Sequence, residues 1–275
     1  MSRSPRVRRV RAARPPRLPR GIPLRTIAPN AVTAAALCSG LTSIRFAMDA
    51  KWEQAVVMVL IAALLDGIDG KIARLVRGES RFGAELDSLS DAIAFGVAPA
   101  LILYLWSLQH LGNFGWMVAL VYALFCVLRL ARFNAGIDNE DQPHKSAGFL
   151  TGVPAPAGAL LAMTPLYLWL STQEPHLPAP YIVAPWTVMV ALLMISSIAT
   201  FTPAVRLKQR IRFEVLVILA ALIAALVAAP WPTLTLIAIA YLATIPFSIR
   251  SYRRVRRLRE AASVRASEPE PPNAR

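Results

Sequence analysis

Four aspartates, Asp66, Asp69, Asp87 and Asp91, stand in an otherwise apolar stretch and are the residues best placed to do chemistry. Asp66, Asp69, Gly70 and Ala73 follow i, i+3, i+4, i+7, so on a helix they share one face. Asp87 and Asp91 are i, i+4 and share a face of the next helix. The connection RLVRGESRFG, from Arg74 to Gly83, is short enough to make the two helices antiparallel neighbours. Four carboxylates then meet between two helix ends. In a poorly hydrated cleft they repel one another strongly unless a cation neutralises them. Hard, oxygen-preferring ions, Mg²⁺ or Mn²⁺, suit such a donor set, and two of them can share bridging carboxylates. No Cys or His lies nearby, which argues against zinc. Gly67, Gly70, Ala73 and Gly83 leave room for a flat or bulky ligand to approach the backbone, and Arg74 is a candidate phosphate ligand. A blander reading has the aspartates capping helices or pairing with Lys71, Arg74 and Arg81. Four on shared faces weigh against it. Such carboxylates are costly in apolar segments and point to a membrane enzyme rather than a scaffold.

The elements that must position them follow from hydropathy. The chain has 275 residues, 56% of them hydrophobic, and is too apolar for an ordinary soluble domain. A crossing helix needs roughly 20 apolar residues. Eight candidate spans fall near 29–48, 53–75, 87–108, 113–134, 150–171, 181–201, 213–229 and 232–249. Their connections carry charge alternately. Lys71, Arg74, Arg77 and Arg81 follow the second span; Arg129, Arg132 and Lys145 the fourth; Arg206, Lys208, Arg210 and Arg212 the sixth. The connections at 109–112, 172–180 and 230–231 hold no Lys or Arg, and only Arg45 and Lys51 dissent. The positive-inside rule then predicts an all-α, polytopic membrane helix bundle of about eight helices with both termini cytoplasmic. The aspartates would face the cytoplasm.

The net charge of +14 sits in loops and tails without any nucleic-acid-binding module, so it reads as attraction to anionic lipid, and nucleic acid is excluded as a partner. Residues 1–25 form a basic Pro/Arg-rich tail with no signal-peptide pattern. Residues 26–250 make the membrane domain, and 251–275 a basic and then disordered cytosolic tail. Cys38 and Cys126 both lie in apolar runs and imply no disulfide.

The stretch fits D-G-x-x-A-R-x(8)-G-x(3)-D-x(3)-D without a gap, with Asp69, Gly70, Ala73, Arg74, Gly83, Asp87 and Asp91 at the fixed positions and Asp66 three residues upstream. It resembles the signature of the CDP-alcohol phosphatidyltransferase family. The resemblance implies transfer of a phosphatidyl group from a CDP-linked lipid to an alcohol, with release of CMP. It implies that Asp66, Asp69, Asp87 and Asp91 surround two divalent ions. It also implies that Gly70, Ala73, Arg74 and Gly83 line the CDP pocket, and that Asp91 is the base for the acceptor hydroxyl.

PNAVTAAALCSG (Pro29 to Gly40), RLARFN (Arg129 to Asn134) and GFLTGVPAPAGA (Gly148 to Ala159) resemble the serine-using branch of that family. This implies CDP-diacylglycerol and L-serine as substrates, a location in the cell (inner) membrane and, by family habit, a homodimer. Arg129, Arg132 and Asn134 then either receive the serine carboxylate or are stop-transfer residues whose arginines snorkel to the interface. Asn30 and Thr33 either reach the nucleotide or cap the first helix after Pro29. Glycerol phosphate, inositol phosphate or choline are rival acceptors. An ion-coupled transporter is a more distant alternative, since its site would sit near the midplane among repeats that this chain lacks.

Overall fold

Apolar runs set the helices of this chain, and prolines, glycines and one serine set where they bend or start. The computed structural model describes residues 24–76, 80–135, 149–196, 199–201 and 213–247. The tails expected at 1–25 and 251–275 lie outside these residues, except for the backbone of 24 and 25; Arg77, Lys145, Arg206, Lys208, Arg210 and Arg212 lie outside them too. In chain order the helices are Leu24–Met48 (α1), Trp52–Val76 (α2), Arg81–Asp91 (α3), Ala98–Trp106 (α4), Asn113–Ala135 (α5), Ala155–Ala162 (α6), Thr164–Thr172 (α7), Pro180–Ile195 (α8) and Phe213–Ala228 (α9). A last helix, α10, spans Pro230–Phe247. A π-helical turn, Ala92–Val97, joins α3 to α4. Helix occupies each of the eight stretches read from hydropathy.

Among the described residues, four helical rods are long and apolar enough to cross a membrane: Pro29–Met48 within α1, Arg81–Trp106, Asn113–Ala135 and Pro230–Phe247. α2 is 25 residues long but carries Glu53 as well as the first two aspartates. The fifth and sixth stretches are shorter as helices than expected. Phe149–Thr151 (β1) and Ala199–Phe201 (β2) pair antiparallel, so the otherwise helical chain contains one small ladder. Its cause is local. Gly152 adopts φ 75°, where a Cβ would meet the Ser196 carbonyl oxygen at 2.9 Å, and Pro154 biases Val153 before it away from helix, so that α6 starts only at Ala155.

Two corrections concern helix starts. α3 begins at Arg81 rather than 87, because Ser80 caps it and accepts from the Gly83 amide at 3.0 Å. Asp87 and Asp91 therefore lie in its later turns. α1 starts upstream of Pro29, which lies inside the helix. Asn30 and Thr33 are interior residues and do not cap it.

Proline also removes hydrogen bonds that side chains restore. Pro99 has no N–H for the carbonyl of Phe95, four residues back, and the Tyr122 hydroxyl donates to that oxygen at 3.0 Å. Pro165 likewise leaves the Leu161 carbonyl, which accepts from the Trp186 indole at 2.8 Å. Phe95, Ile102, Leu103, Tyr122, Leu161 and Tyr167 are fully buried and lie at the centre of the core. α1 packs along α2, and α5 along α8.

Candidate active site

α2 delivers Asp66 and Asp69 one turn apart, and α3 delivers Asp87 and Asp91. Asp66, Asp69 and Asp87 each offer a carboxylate oxygen, and the three oxygens lie within 4.8 Å of one another. Asp91 is at hydrogen-bonding distance from Asp66. All four carboxylates predicted from spacing thus converge. Asp69 is buried (4% exposed), and the others are half-buried. Lys51–Asp49 is the one ion pair among the described residues, so none of the four is neutralised by a paired lysine or arginine there. Oxygen-only donors at this separation suit a hard divalent cation bound in the cleft. The triad fits a metal.

α1 supports the cluster from one side. The Thr33 hydroxyl lies 2.8 Å from Asp69 Oδ2 and 3.1 Å from the Pro29 carbonyl. It has one proton, and the shorter contact goes to the carboxylate. Ser90 donates to the Thr33 carbonyl at 3.3 Å, tying α3 to α1 one residue before Asp91. Ser80 and Ser90 were not singled out from sequence. A serine just ahead of an amphipathic run, and a buried serine beside an aspartate, are the signals that would have found them.

The glycines differ in their surroundings. A Cβ at Gly67 or Gly70 would meet nothing within 4 Å, so the cleft is open along that face of α2. Gly83 is crowded instead: a Cβ there would lie 2.9 Å from Asn30 Oδ1 and 3.1 Å from the Ser80 hydroxyl. Asn30 and Gly83 are thus neighbours across α1 and α3. The side chains of Ala73 and Arg74 lie outside the described residues.

RLARFN divides. Arg129 is half-buried and lies in electrostatic range of Asp91 and Tyr241. Its guanidinium sits 5.8 Å from the Phe133 ring centre, and its buried Nε has no hydrogen-bond partner among the described residues. Arg132 is exposed and donates to the Ile195 carbonyl at 2.9 Å, where it serves an orphaned C-terminal carbonyl of α8. Asn134 donates to the Ser88 hydroxyl at 2.7 Å and links the ends of α5 and α3. Only Arg129 of these three is turned toward the carboxylates.

With this geometry in hand, comparison with known proteins is decisive at family level. The family model for CDP-alcohol phosphatidyltransferase matches residues 26–202. The chain belongs to that family. A second model, CDP-alcohol phosphatidyltransferase 2, matches residues 210–246. The CDP-diacylglycerol–serine O-phosphatidyltransferase of Mycobacterium tuberculosis is 41% identical over 239 residues, 86% of this chain and 83% of that protein. Its counterpart in Mycobacterium leprae is 39% identical over 86% of this chain and 79% of its own length. The Helicobacter pylori protein of the same name is 40% identical over 135 residues, 49% of this chain and 55% of its own. The matched residues 26–202 include the two helices that form the cleft.

Proposed function

We propose that this family member is a CDP-diacylglycerol–serine O-phosphatidyltransferase: it transfers the phosphatidyl group of CDP-diacylglycerol to L-serine, giving phosphatidylserine and CMP. The observation that carries this reading is the convergence of the four motif aspartates on an open cleft, in a chain that matches serine-using relatives over most of its length.

Asp66, Asp69, Asp87 and Asp91 would hold two divalent ions, Mg²⁺ or Mn²⁺, which when bound would supply positive charge to offset that of the pyrophosphate. Gly70 and Gly67 give the CDP group access to the backbone of α2. Ala73, Arg74, Gly83, Asn30 and Thr33 complete that side of the pocket, with Thr33 orienting Asp69 through their hydrogen bond. The serine hydroxyl oxygen forms the new bond to the lipid phosphorus while the bond to the CMP oxygen breaks. Asp91 takes the hydroxyl proton. Charge neutralisation and in-line positioning supply the rate, and no covalent enzyme intermediate is needed. Arg129, beside Asp91 and with an unused buried donor, receives the serine carboxylate. Arg132 and Asn134 hold the end of α5 in place.

In this reading residues 26–250 form one membrane domain with eight crossings and both termini inside. The cleft opens to the cytoplasmic face of the cell membrane, where serine and CDP-lipid meet, and the working unit is a homodimer. Loop charge supports the orientation.

The test is an acceptor panel: purified protein, CDP-diacylglycerol and Mg²⁺ or Mn²⁺, with CMP release followed for serine, glycerol 3-phosphate, inositol phosphate and choline. Serine alone should release CMP and yield a lipid product, and chelation should stop it. CMP release with another alcohol and none with serine would overturn the acceptor assignment. Transport of an ion without CMP formation would overturn the enzyme. Arg129→Ala should raise the serine KM while leaving that for CDP-diacylglycerol unchanged, and Arg132→Ala should move neither.

A further inference from the structure

We infer that Tyr122 is a positioning residue: its hydroxyl holds the π-helical turn that follows Asp91 and so sets the direction in which Asp87 and Asp91 face. This rests on the carboxylate site proposed above, but it concerns a residue on a different helix, nearly two turns of α5 before Arg129, that touches none of the four aspartates in any described contact.

A π-helical turn bonds i to i+5 and inserts one residue relative to an α-helix. The carbonyl of Ile93 indeed receives its bond from the Ala98 amide. In an unbroken α-helix the face that carries Asp87 and Asp91 would continue through positions 94, 98, 101 and 105. Ala94 and Ala98 on that line are buried, but from there on the buried positions are Pro99, Ile102, Leu103 and Trp106, while Leu101 and Leu105 are only half-buried. The buried face therefore shifts register by one residue across the turn, a shift that in an uninterrupted α-helix would set it about 100° away from the aspartates. Without the turn, either the aspartates or the core residues of α4 would point the wrong way.

Three contacts fix the turn. Gly40 of α1 lies against Ala94, where a Cβ would come within 2.9 Å of the Ala94 Cα. Gly96 lies against Cys126, with 3.3 Å from a Cβ to its Sγ. These two are steric and tolerate small rotations. The third is directional: the Tyr122 hydroxyl donates at 3.0 Å to Phe95, the carbonyl that Pro99 cannot serve. Tyr122 is 0% exposed and Phe95 1%, so water has no route to replace that donor. Loss of the hydroxyl leaves an orphaned carbonyl inside the turn; a plain α-helix would offer it only Pro99, which has no N–H, so the turn must shift or open to find another donor.

The experiment compares wild type, Tyr122→Phe and, as a control for general loosening of α5, Val118→Ala, each purified in detergent without substrate. Mn²⁺ binding is followed by electron paramagnetic resonance, amide exchange over Ala92–Val97 by mass spectrometry, and unfolding by Tm. Tyr122→Phe should weaken Mn²⁺ binding by about tenfold, the low end of what losing an outer support of a metal ligand costs. It should also speed exchange in the turn. Val118→Ala should lower Tm while leaving both readouts near wild type. A Tyr122→Phe protein with a lowered Tm but unchanged Mn²⁺ binding would make Tyr122 merely structural and overturn the inference, as would equal weakening by Val118→Ala. Wild-type protein that binds no Mn²⁺ counts against the carboxylate site itself. The exchange rates then decide on Tyr122 alone, and unchanged exchange over Ala92–Val97 overturns its role.

Discussion

The two helices that supply the aspartates are built differently. α2 passes its pair, Asp66 and Asp69, as an unbroken helix with exposed, uncrowded glycines between and after them, and its support from α1 is the hydrogen bond from Thr33 to Asp69. The rod that carries Asp87 and Asp91 is braced throughout. Ser80 caps it, Asn134 reaches Ser88, Ser90 bonds to α1, and a π-helical turn held by Tyr122 follows directly. One wall of the cleft is left open and the other is fixed. A ligand can enter along the open wall, while the fixed wall keeps its carboxylates where charge develops during reaction, which is what preorganisation requires.

That contrast can be broken from either wall. Asp91→Asn, on the braced side, should have the largest effect: turnover falls by about a thousandfold, the range expected for loss of a general base, while CDP-diacylglycerol still binds in a filter or calorimetric assay. Normal turnover would remove Asp91 as the base. Gly70→Leu, on the open side, should cost about a hundredfold in kcat/KM through misplaced substrate yet leave Tm unchanged, because nothing lies within 4 Å of a Cβ there. A fall in Tm instead would mean that this wall is packed. Thr33→Val removes the bond to Asp69 and should weaken metal binding by about tenfold, read as the Mg²⁺ concentration for half-maximal rate. Asn134→Ala should have the smallest effect, about 1 kcal/mol of stability from a lost hydrogen bond, with the serine KM unchanged. A raised serine KM would return Asn134 to the acceptor pocket.

The open wall was the more legible of the two in the sequence. Spacing alone put Asp66, Asp69 and Gly70 on one face, and each stretch read from hydropathy contains helix, though α1 and α3 start earlier than hydropathy placed them. The braced wall was not legible, for a physical reason: its supports are long-range. Nothing near Asp91 reveals that Tyr122 serves a carbonyl freed by Pro99, or that Thr33 answers to Asp69 rather than to the end of its own helix. Periodicity also cannot register an inserted residue, since a π-helical turn leaves the composition of the run untouched. In RLARFN, residue type suggested three ligands for one carboxylate, but a helix end needing a donor claims Arg132 with equal chemical right. The β1–β2 ladder lay behind prolines that read equally well as a kink in a single span.

Trp186 has a consequence for biogenesis. Its indole answers the Leu161 carbonyl, which Pro165 cannot serve and which shares the Met163 amide with the Ala159 carbonyl, and it emerges from the ribosome well after all of them. Until α8 arrives, a nascent chain must shelter that oxygen by other means, so α6, α7 and α8 should commit to lipid as one insertion unit.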